Sequence, residues 1–397
     1  MKHPRNRAVA PPPAPMNQGD TQGRHAGVRI RRWLAAGVPQ VGPLVAIAAA
    51  MNVLALALSG PDITDTADQI LGTADWTQPH TWAALLLKIG SSGLAFLPVA
   101  LAAYLAYGMA GRPALIAGLL GGMAAMGLQG GVPVALAAGL IAGTATSALQ
   151  RIPVPPRLRD LTSNVLVPLL AALVTTAVLF VLVEPRLGAL SAWLHQKMAW
   201  LQFNNAALLG VFLGLMVCSD LGGVFNKTAV AFGTVGVSGY DPSKFSPADM
   251  TIMATVVAAG MVPALGMTLA TLVRGRLFTE AERAHGKVAW LFGAASLPEG
   301  AVPFALADPL RVIPAGMAGG AVTGALTMTF GATITVPYGG FLALGDMGEP
   351  LLLVLAAAAG TVVTAATAVA LKSLAGQPAP GTASPAAKVR RKVSVAG

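Results

Sequence analysis

Charge is what this chain has least of. Only 11% of its 397 residues are Asp, Glu, Lys or Arg, against about 25% in soluble domains. With 55% hydrophobic residues and a mean hydropathy of +0.67, that scarcity excludes an ordinary soluble domain and indicates an all-α polytopic membrane protein. Cysteine is nearly absent as well. The lone Cys218 excludes an internal disulfide and any cysteine-based metal cluster. The histidines (His3, His25, His80, His195 and His285) are scattered with no pair at ligand spacing, so no metal site is indicated. Glycine-rich runs such as GLLGGMAAMG lack the lysine of a phosphate-binding loop, so no nucleotide or other cofactor is expected.

What the chain does have is glycine, 46 residues of it, in keeping with membrane helices that pack at close range. The net charge of +10 lies mostly in tails and short loops, where it reads as topology and not as a nucleic-acid surface. Residues 1–33 read as a basic, disordered cytoplasmic tail and 373–397 as a second one. A first span covers about 34–58. The loop Gly60–Pro79 carries Asp62, Asp65, Asp68 and Asp75 without a Lys or Arg, so it is placed outside. Apolar segments follow near 81–110, 114–127 and 132–149, and the basic linker Arg151–Asp160 is placed inside. A span near 162–183 leads to Glu184–Trp200, whose Trp193 and Trp200 suit a helix lying in the membrane interface. The run 206–218 is too short to cross alone; spans near 248–273, 315–331 and 349–372 complete the set, with Arg274–Lys287 as a charged cytoplasmic loop. At about 20 residues per crossing this makes roughly eight to ten crossings or half-crossings. The membrane-depth part divides at about residue 200 into a nearly uncharged scaffold, Lys88 excepted, and a region 201–372 that holds both polar interruptions.

Those interruptions are the candidate site. The stretch PEGAVPFALADPLRVIP, from Pro298 to Pro314, sets Glu299, Asp308 and Arg311 among apolar residues. Its four prolines prevent one unbroken helix. Ionisable groups and unwound backbone at membrane depth are costly and persist around pathways and cavities. Glu299, between Pro298 and Gly300, is the first candidate: a hydroxyl acceptor, or the base for a hydroxyl attacking a phosphoryl group, with a structural pairing to Lys227 or Arg311 as the bland reading. In SDLGGVFNKTAVAFG, Asp220, Asn226 and Lys227 flank a flexible Gly222-Gly223 pair. Asp220 and Asn226 are candidate hydrogen-bonding ligands, and an Asp220–Lys227 pair is the structural alternative. Asp308 and Arg311, three apart, suit an ion pair on one helical turn, with phosphate binding by Arg311 as the other option. Cys218 reads as core filler, and Lys88, Asp346 and Glu349 read as helix-end residues.

EGAVPFALADPLRVIPA and DLGGVFNKTAVAFG resemble the motifs EGAIPFAAADPLRVIPS and DMGGPVNKAAYAFG of the membrane-embedded C component of the phosphoenolpyruvate-dependent sugar phosphotransferase system, fructose branch. Weaker likeness runs through Tyr104–Gly122, so the resemblance extends over about 34–372. It implies a homodimeric permease of the cytoplasmic membrane, with a scaffold and dimerisation half, a transport half and two re-entrant hairpins. It also implies a fructose-like sugar as substrate, phosphorylated by a phosphocysteine on a partner B component. Carried onto this sequence, Glu299 becomes the sugar-binding and catalytic acid, with Asp220, Asn226, Lys227, Gly300, Pro303, Asp308 and Arg311 as substrate-binding or hairpin residues. Val224-Phe225, Val230 and Leu297-Pro298 depart from the family pattern and bear on sugar identity. No CPTG-like motif of a B component occurs in the sequence, so the resemblance implies a separate phosphoryl donor. Arg274–Lys287 and Arg151–Asp160 are candidate docking loops for it, or simply topology signals. A proton-coupled secondary sugar transporter is the alternative, and a non-transporting membrane sensor a more distant one.

Overall fold

The computed structural model describes residues 26–60, 62–237, 246–336 and 339–374. The basic stretch before residue 26, the loop with Tyr240, Asp241 and Lys244, and the C-terminal stretch after 374 lie outside the described residues. Helix α1 (Ala26–Ser59) begins inside the segment expected to be tail, and α2 (Ile63–Gly72) occupies part of the acidic loop. Lys88 is not at a helix end: it lies within α3 (Pro79–Ala95) and pairs with Asp68 of α2, a partner the acidic loop supplies only because it is helical. Pro98 explains the interruption at Phe96 between α3 and α4 (Leu97–Ala110), since it has no N–H for the preceding turn. Then α5 (Arg112–Gly127) and α6 (Gly131–Leu149) form a hairpin.

Beyond the linker, a short α7 (Arg159–Leu161), a π turn at Thr162–Leu166, α8 (Val167–Val178), a second π turn at Leu179–Val183 and α9 (Glu184–Asn204) run on without a coil. The helix does not break at Glu184: the π turn carries helical backbone through Glu184 to Pro185, which sits in the first turn of α9. Leu194, Met198 and Leu201 pack α9 into the same core as α10 (Ala206–Ser219), α11 (Val224–Val237) and α12 (Pro247–Val273). The expected loop Arg274–Lys287 largely folds into α13 (Glu280–Ala294). Thr279 and Glu282 close a capping box there, Thr279 N donating to Glu282 at 2.7 Å and Glu282 N to Thr279 at 3.3 Å. A 3-10 turn at Pro298–Ala301, α14 (Val302–Ala307), α15 (Pro309–Phe330) and α16 (Pro350–Leu374) complete the chain, with a small antiparallel pair of β1 (Thr333–Ile334) and β2 (Met347–Gly348) between the last two helices. Helix α15 starts at Pro309, ahead of the expected 315, because proline fits the first helical turn. Pro314 is carried inside it.

Apart from that short strand pair, the protein is an all-α, multi-pass membrane protein. Among the described residues six helices or helix runs are long and apolar enough to cross a membrane, and three shorter apolar ones accompany them. Helices α10 and α15 meet backbone to backbone: a Cβ placed on Gly214 would stand 1.9 Å from the carbonyl oxygen of Gly320. Only backbone fits there, so the two helices lie ridge to ridge through glycine. A second core joins α1 and the α4–α6 region to Leu221, Ala301, Val302 and Phe304, tying the first half of the chain to the two interruptions of the second.

Candidate functional site

Helices α10 and α11 have 14 residues each, about 21 Å at 1.5 Å per residue, short of a roughly 30 Å hydrocarbon core. They form a hairpin whose tip is Asp220–Gly223. Leu221 (φ 48°) and Gly222 (φ 98°) turn the chain through left-handed backbone. Asp220 is buried and fastens this tip: its Oδ2 accepts from Phe225 N at 2.7 Å and its Oδ1 from Asn226 N at 3.1 Å. A carboxylate on exposed N–H groups at a helix start meets both their hydrogen-bonding need and the helix dipole. The buried Asn226 spends its Nδ2 on the carbonyl of Val217 at 3.1 Å. Asp220 therefore closes the turn through backbone N–H groups, and among the described residues it makes no ion pair with Lys227. Lys227 is exposed, and the charges of Glu299 and Asp220 both act on it through space.

The second tip is Ser296–Ala301, between α13 and α14. Ser296 (φ 59°) donates to the carbonyl of Val257 at 2.6 Å and anchors the turn to α12. His285 Nε2 lies 2.8 Å from the carbonyl oxygen of Gly300 and donates to it, with the imidazole packed 5.2 Å from Phe304 and 6.0 Å from Phe292, centre to centre. A Cβ on Gly300 would meet Phe292 at 2.4 Å, so glycine lets the loop sit flat on α13. Pro303, buried in the first turn of α14, starts that helix without needing a donor. These contacts fix the backbone on either side of Glu299.

The two tips meet. Glu299 Oε1 occupies the space beside Gly222, where a Cβ would lie 2.5 Å from it. Glu299 Oε2 is buried without a hydrogen-bond partner among the described residues. An orphaned carboxylate oxygen is rare in a folded interior, and here it stands at the junction of two helix interruptions. The hairpins are based at opposite ends of α12, whose 27 residues span about 40 Å. They approach each other from opposite directions.

Asp308 and Arg311 are elsewhere. Asp308 is the break between α14 and α15, with φ −150° and ψ 71°. Its Oδ2 takes Arg311 Nη1 at 2.7 Å and lies 3.5 Å from Lys372 Nζ. Lys372 in turn reaches Glu282 Oε1 at 3.0 Å and stands 4.6 Å over the ring of Phe278. This chain of charges, buried at Glu282 and Lys372 and half-buried at Asp308 and Arg311, binds α13, the α14–α15 break and α16 to one another, and the Asp308–Arg311 ion pair read from the spacing is present. Sequence reading missed Glu282, Lys372 and His285. The sequence TEAE was the one available signal, as a capping box that marks a helix start.

Cys218 is fully buried and its Sγ donates to the carbonyl of Ala259, as core filler would. Asp346 and Glu349 do lie at element ends. A cavity of about 450 Å³ beside His195, Gln202, Phe232 and Asp249, and one of about 590 Å³ lined by Arg274, Arg276 and Arg283, do not include Glu299.

Fold and site together define a polytopic membrane protein that keeps an unpaired carboxylate oxygen where its helix breaks converge. Residues 41–319 match the family model described as phosphotransferase system, EIIC. The chain belongs to that family, whose members are components of a phosphotransferase system. It is 37% identical over 293 residues to the fructose-like permease IIC component 2 of Escherichia coli (strain K12), covering 73% of this chain and 79% of the relative. It is 36% identical over 289 residues to the fructose permease IIC component of Bacillus amyloliquefaciens, covering 72% of this chain and 92% of the relative. The fructose-specific EIIB'BC component of Vibrio cholerae is 38% identical over 300 residues, 74% of this chain but only 50% of that longer protein.

Proposed function

We propose that this chain is the sugar permease of a fructose-type phosphotransferase system, carrying fructose or a similar sugar across the cytoplasmic membrane as it is phosphorylated. The observation that carries the reading is Glu299: a buried carboxylate oxygen without a partner among the described residues, at the contact of two hairpin tips. The names of relatives supply the sugar and the other components. Those called fructose permease IIC name the substrate, and those called EIIB'BC and EIIABC indicate a B component as phosphoryl donor.

In this mechanism both hairpins are re-entrant, α10–α11 entering from outside and α13–α14 from the cytoplasm. The tails are cytoplasmic, the chain works as a homodimer in the cytoplasmic membrane, and lipid covers its outer helices. Glu299 Oε2 accepts a sugar hydroxyl, while Asp220 and Asn226 hold the opposing tip in register. The hydroxyl oxygen then attacks the phosphorus of the partner's phosphocysteine. An O–P bond forms, the S–P bond breaks with the electron pair leaving on the thiolate, and the hydroxyl proton passes to Glu299. Positioning supplies most of the acceleration, since phosphoryl transfer asks little covalent chemistry of the acceptor site.

The test is sugar phosphorylation by membrane vesicles containing the protein, given a phosphorylated fructose-type B component. Wild type should produce sugar phosphate only with that donor, and Glu299→Gln should not. Uptake that proceeds without the donor and collapses with a protonophore would overturn the reading in favour of proton-coupled transport.

A further inference from the structure

We infer that Gln129, from the first half of the chain, is a third contributor to the substrate site, a hydroxyl-binding side chain that helps to decide which sugar is accepted. The inference rests on the permease reading above and adds a residue to it. The turn between α5 and α6 is seated directly on the first tip: a Cβ on Gly131 would lie 2.2 Å from the Cα of Gly223. Gly223 adjoins Gly222, against which Glu299 Oε1 is placed. Leu128 and Val132, on either side of the turn, pack into the same buried cluster as Leu221, Leu297 and Ala301. Three tips thus converge, and only two of them were marked by charge.

Backbone conformation singles out the same three places. Among the described residues the non-glycine positions with positive φ are Gln129 (57°), Leu221 (48°), Ser296 (59°) and Glu349 (59°). The first three fall one on each converging tip. Left-handed backbone is unfavourable for a residue with a Cβ and tends to persist where a functional site requires the side chain. At 129 glycine would fit the backbone better, and glycines stand on both sides at 127, 130 and 131. The turn thus carries a side chain that its backbone does not call for. That side chain is exposed while Gly130 and Gly131 are buried, and its amide makes no hydrogen bond to a described residue. A carboxamide offers two donors and an acceptor, which complements Glu299: the carboxylate accepts from one hydroxyl, and the amide reads the direction of another. Sites that hydrogen-bond a hydroxyl discriminate strongly against analogues that cannot return the bond.

Gln129→Gly separates side chain from backbone, because glycine adopts the same turn without strain. Fructose binding to the purified protein, measured by calorimetry, and phosphotransfer over a panel of hexoses and hexitols are the two readouts. The expected result is at least a tenfold rise in Kd and KM, kcat within twofold of wild type, a changed order of preference across the panel, and partial recovery in Gln129→Asn. Unchanged Kd and unchanged preference in Gln129→Gly would overturn the inference, since the turn alone would then suffice. Equal losses in Gln129→Gly and Gln129→Asn, with wild-type preference order, would overturn it too. Wild type that binds sugar but transfers no phosphate would strike the permease mechanism, and Kd would still decide the role of Gln129. Wild type with no saturable sugar binding would overturn both.

Discussion

The buried and half-buried carboxylates in the second half of this chain sit in two kinds of surroundings. At one end of the helical bundle, Glu282 and Asp308 are linked through Lys372 and Arg311, and every charge faces an opposite one within 3.5 Å. At the meeting of the tips, Asp220 is satisfied by backbone N–H groups, whereas Glu299 leaves one oxygen without a partner among the described residues. On the function proposed above, burial alone does not distinguish a structural acid from a working one; completeness of hydrogen bonding does. An acid that holds a fold together is expected to have all its acceptors occupied. One that must receive a ligand has to keep an acceptor open, at a cost in stability.

That contrast is open to breakage by substitution, and the charge chain should yield the largest effect. Lys372→Met removes the only cation within reach of Glu282 among the described residues and one of two serving Asp308. Leaving a buried charge uncompensated costs about 3–5 kcal/mol, so the variant should lose most of its folded yield in detergent, read by size exclusion and thermal unfolding. Adding Glu282→Gln should restore about half of the loss, because the glutamine keeps the capping contact to Thr279 and removes the stranded charge. Equal instability of single and double variants would show that the lysine matters through packing over Phe278 instead.

The sequence made the tips readable and the charge chain unreadable for a physical reason. Prolines, paired glycines and acids announce themselves locally in an apolar run, which is how 220–227 and 298–311 stood out. Glu282 and Lys372 are 90 residues apart, and each alone looks like an ordinary charge at a membrane edge. Lys88 was misplaced for the same reason, since its partner Asp68 lies in a segment whose acids suggested a loop. His285 was one of several scattered histidines until folding set it against Gly300. Gln129 carries no charge and sits among glycines that read as packing, so nothing local marked it.

At the first tip, Asp220→Ala strands the N–H groups of Phe225 and Asn226 in a buried turn. An unsatisfied buried donor costs about 1–3 kcal/mol, and a loss of about 2 kcal/mol in thermal unfolding is expected, with Asp220→Asn losing less because its remaining carbonyl oxygen still accepts. A neutral Asp220→Ala would mean that water replaces the carboxylate, and the tip would be wetter than its burial suggests. At the second tip, His285→Phe keeps the ring packing against Phe292 and Phe304 but frees the Gly300 carbonyl. The expected loss is about 1 kcal/mol, accompanied by a rise in KM as the Glu299 loop loosens. Recovery of KM in His285→Gln would identify the hydrogen bond as the cause.

Glu299→Gln should perturb stability least of all. The substitution keeps the size of the side chain and removes a charge whose Oε2 has no partner to lose. Desolvating an unpaired carboxylate is itself unfavourable, so the thermal midpoint should stay level or rise slightly. Phosphotransfer should fall by about 10²-fold or more, the range that loss of a positioned proton acceptor produces. The two measurements on one variant set Glu299 against Lys372, activity lost without stability in the first case and stability lost before activity can be read in the second. A Glu299→Gln protein that unfolds like Lys372→Met would place this acid with the structural charges, and the open oxygen at the tips would then need a protein partner that forms only in another conformation.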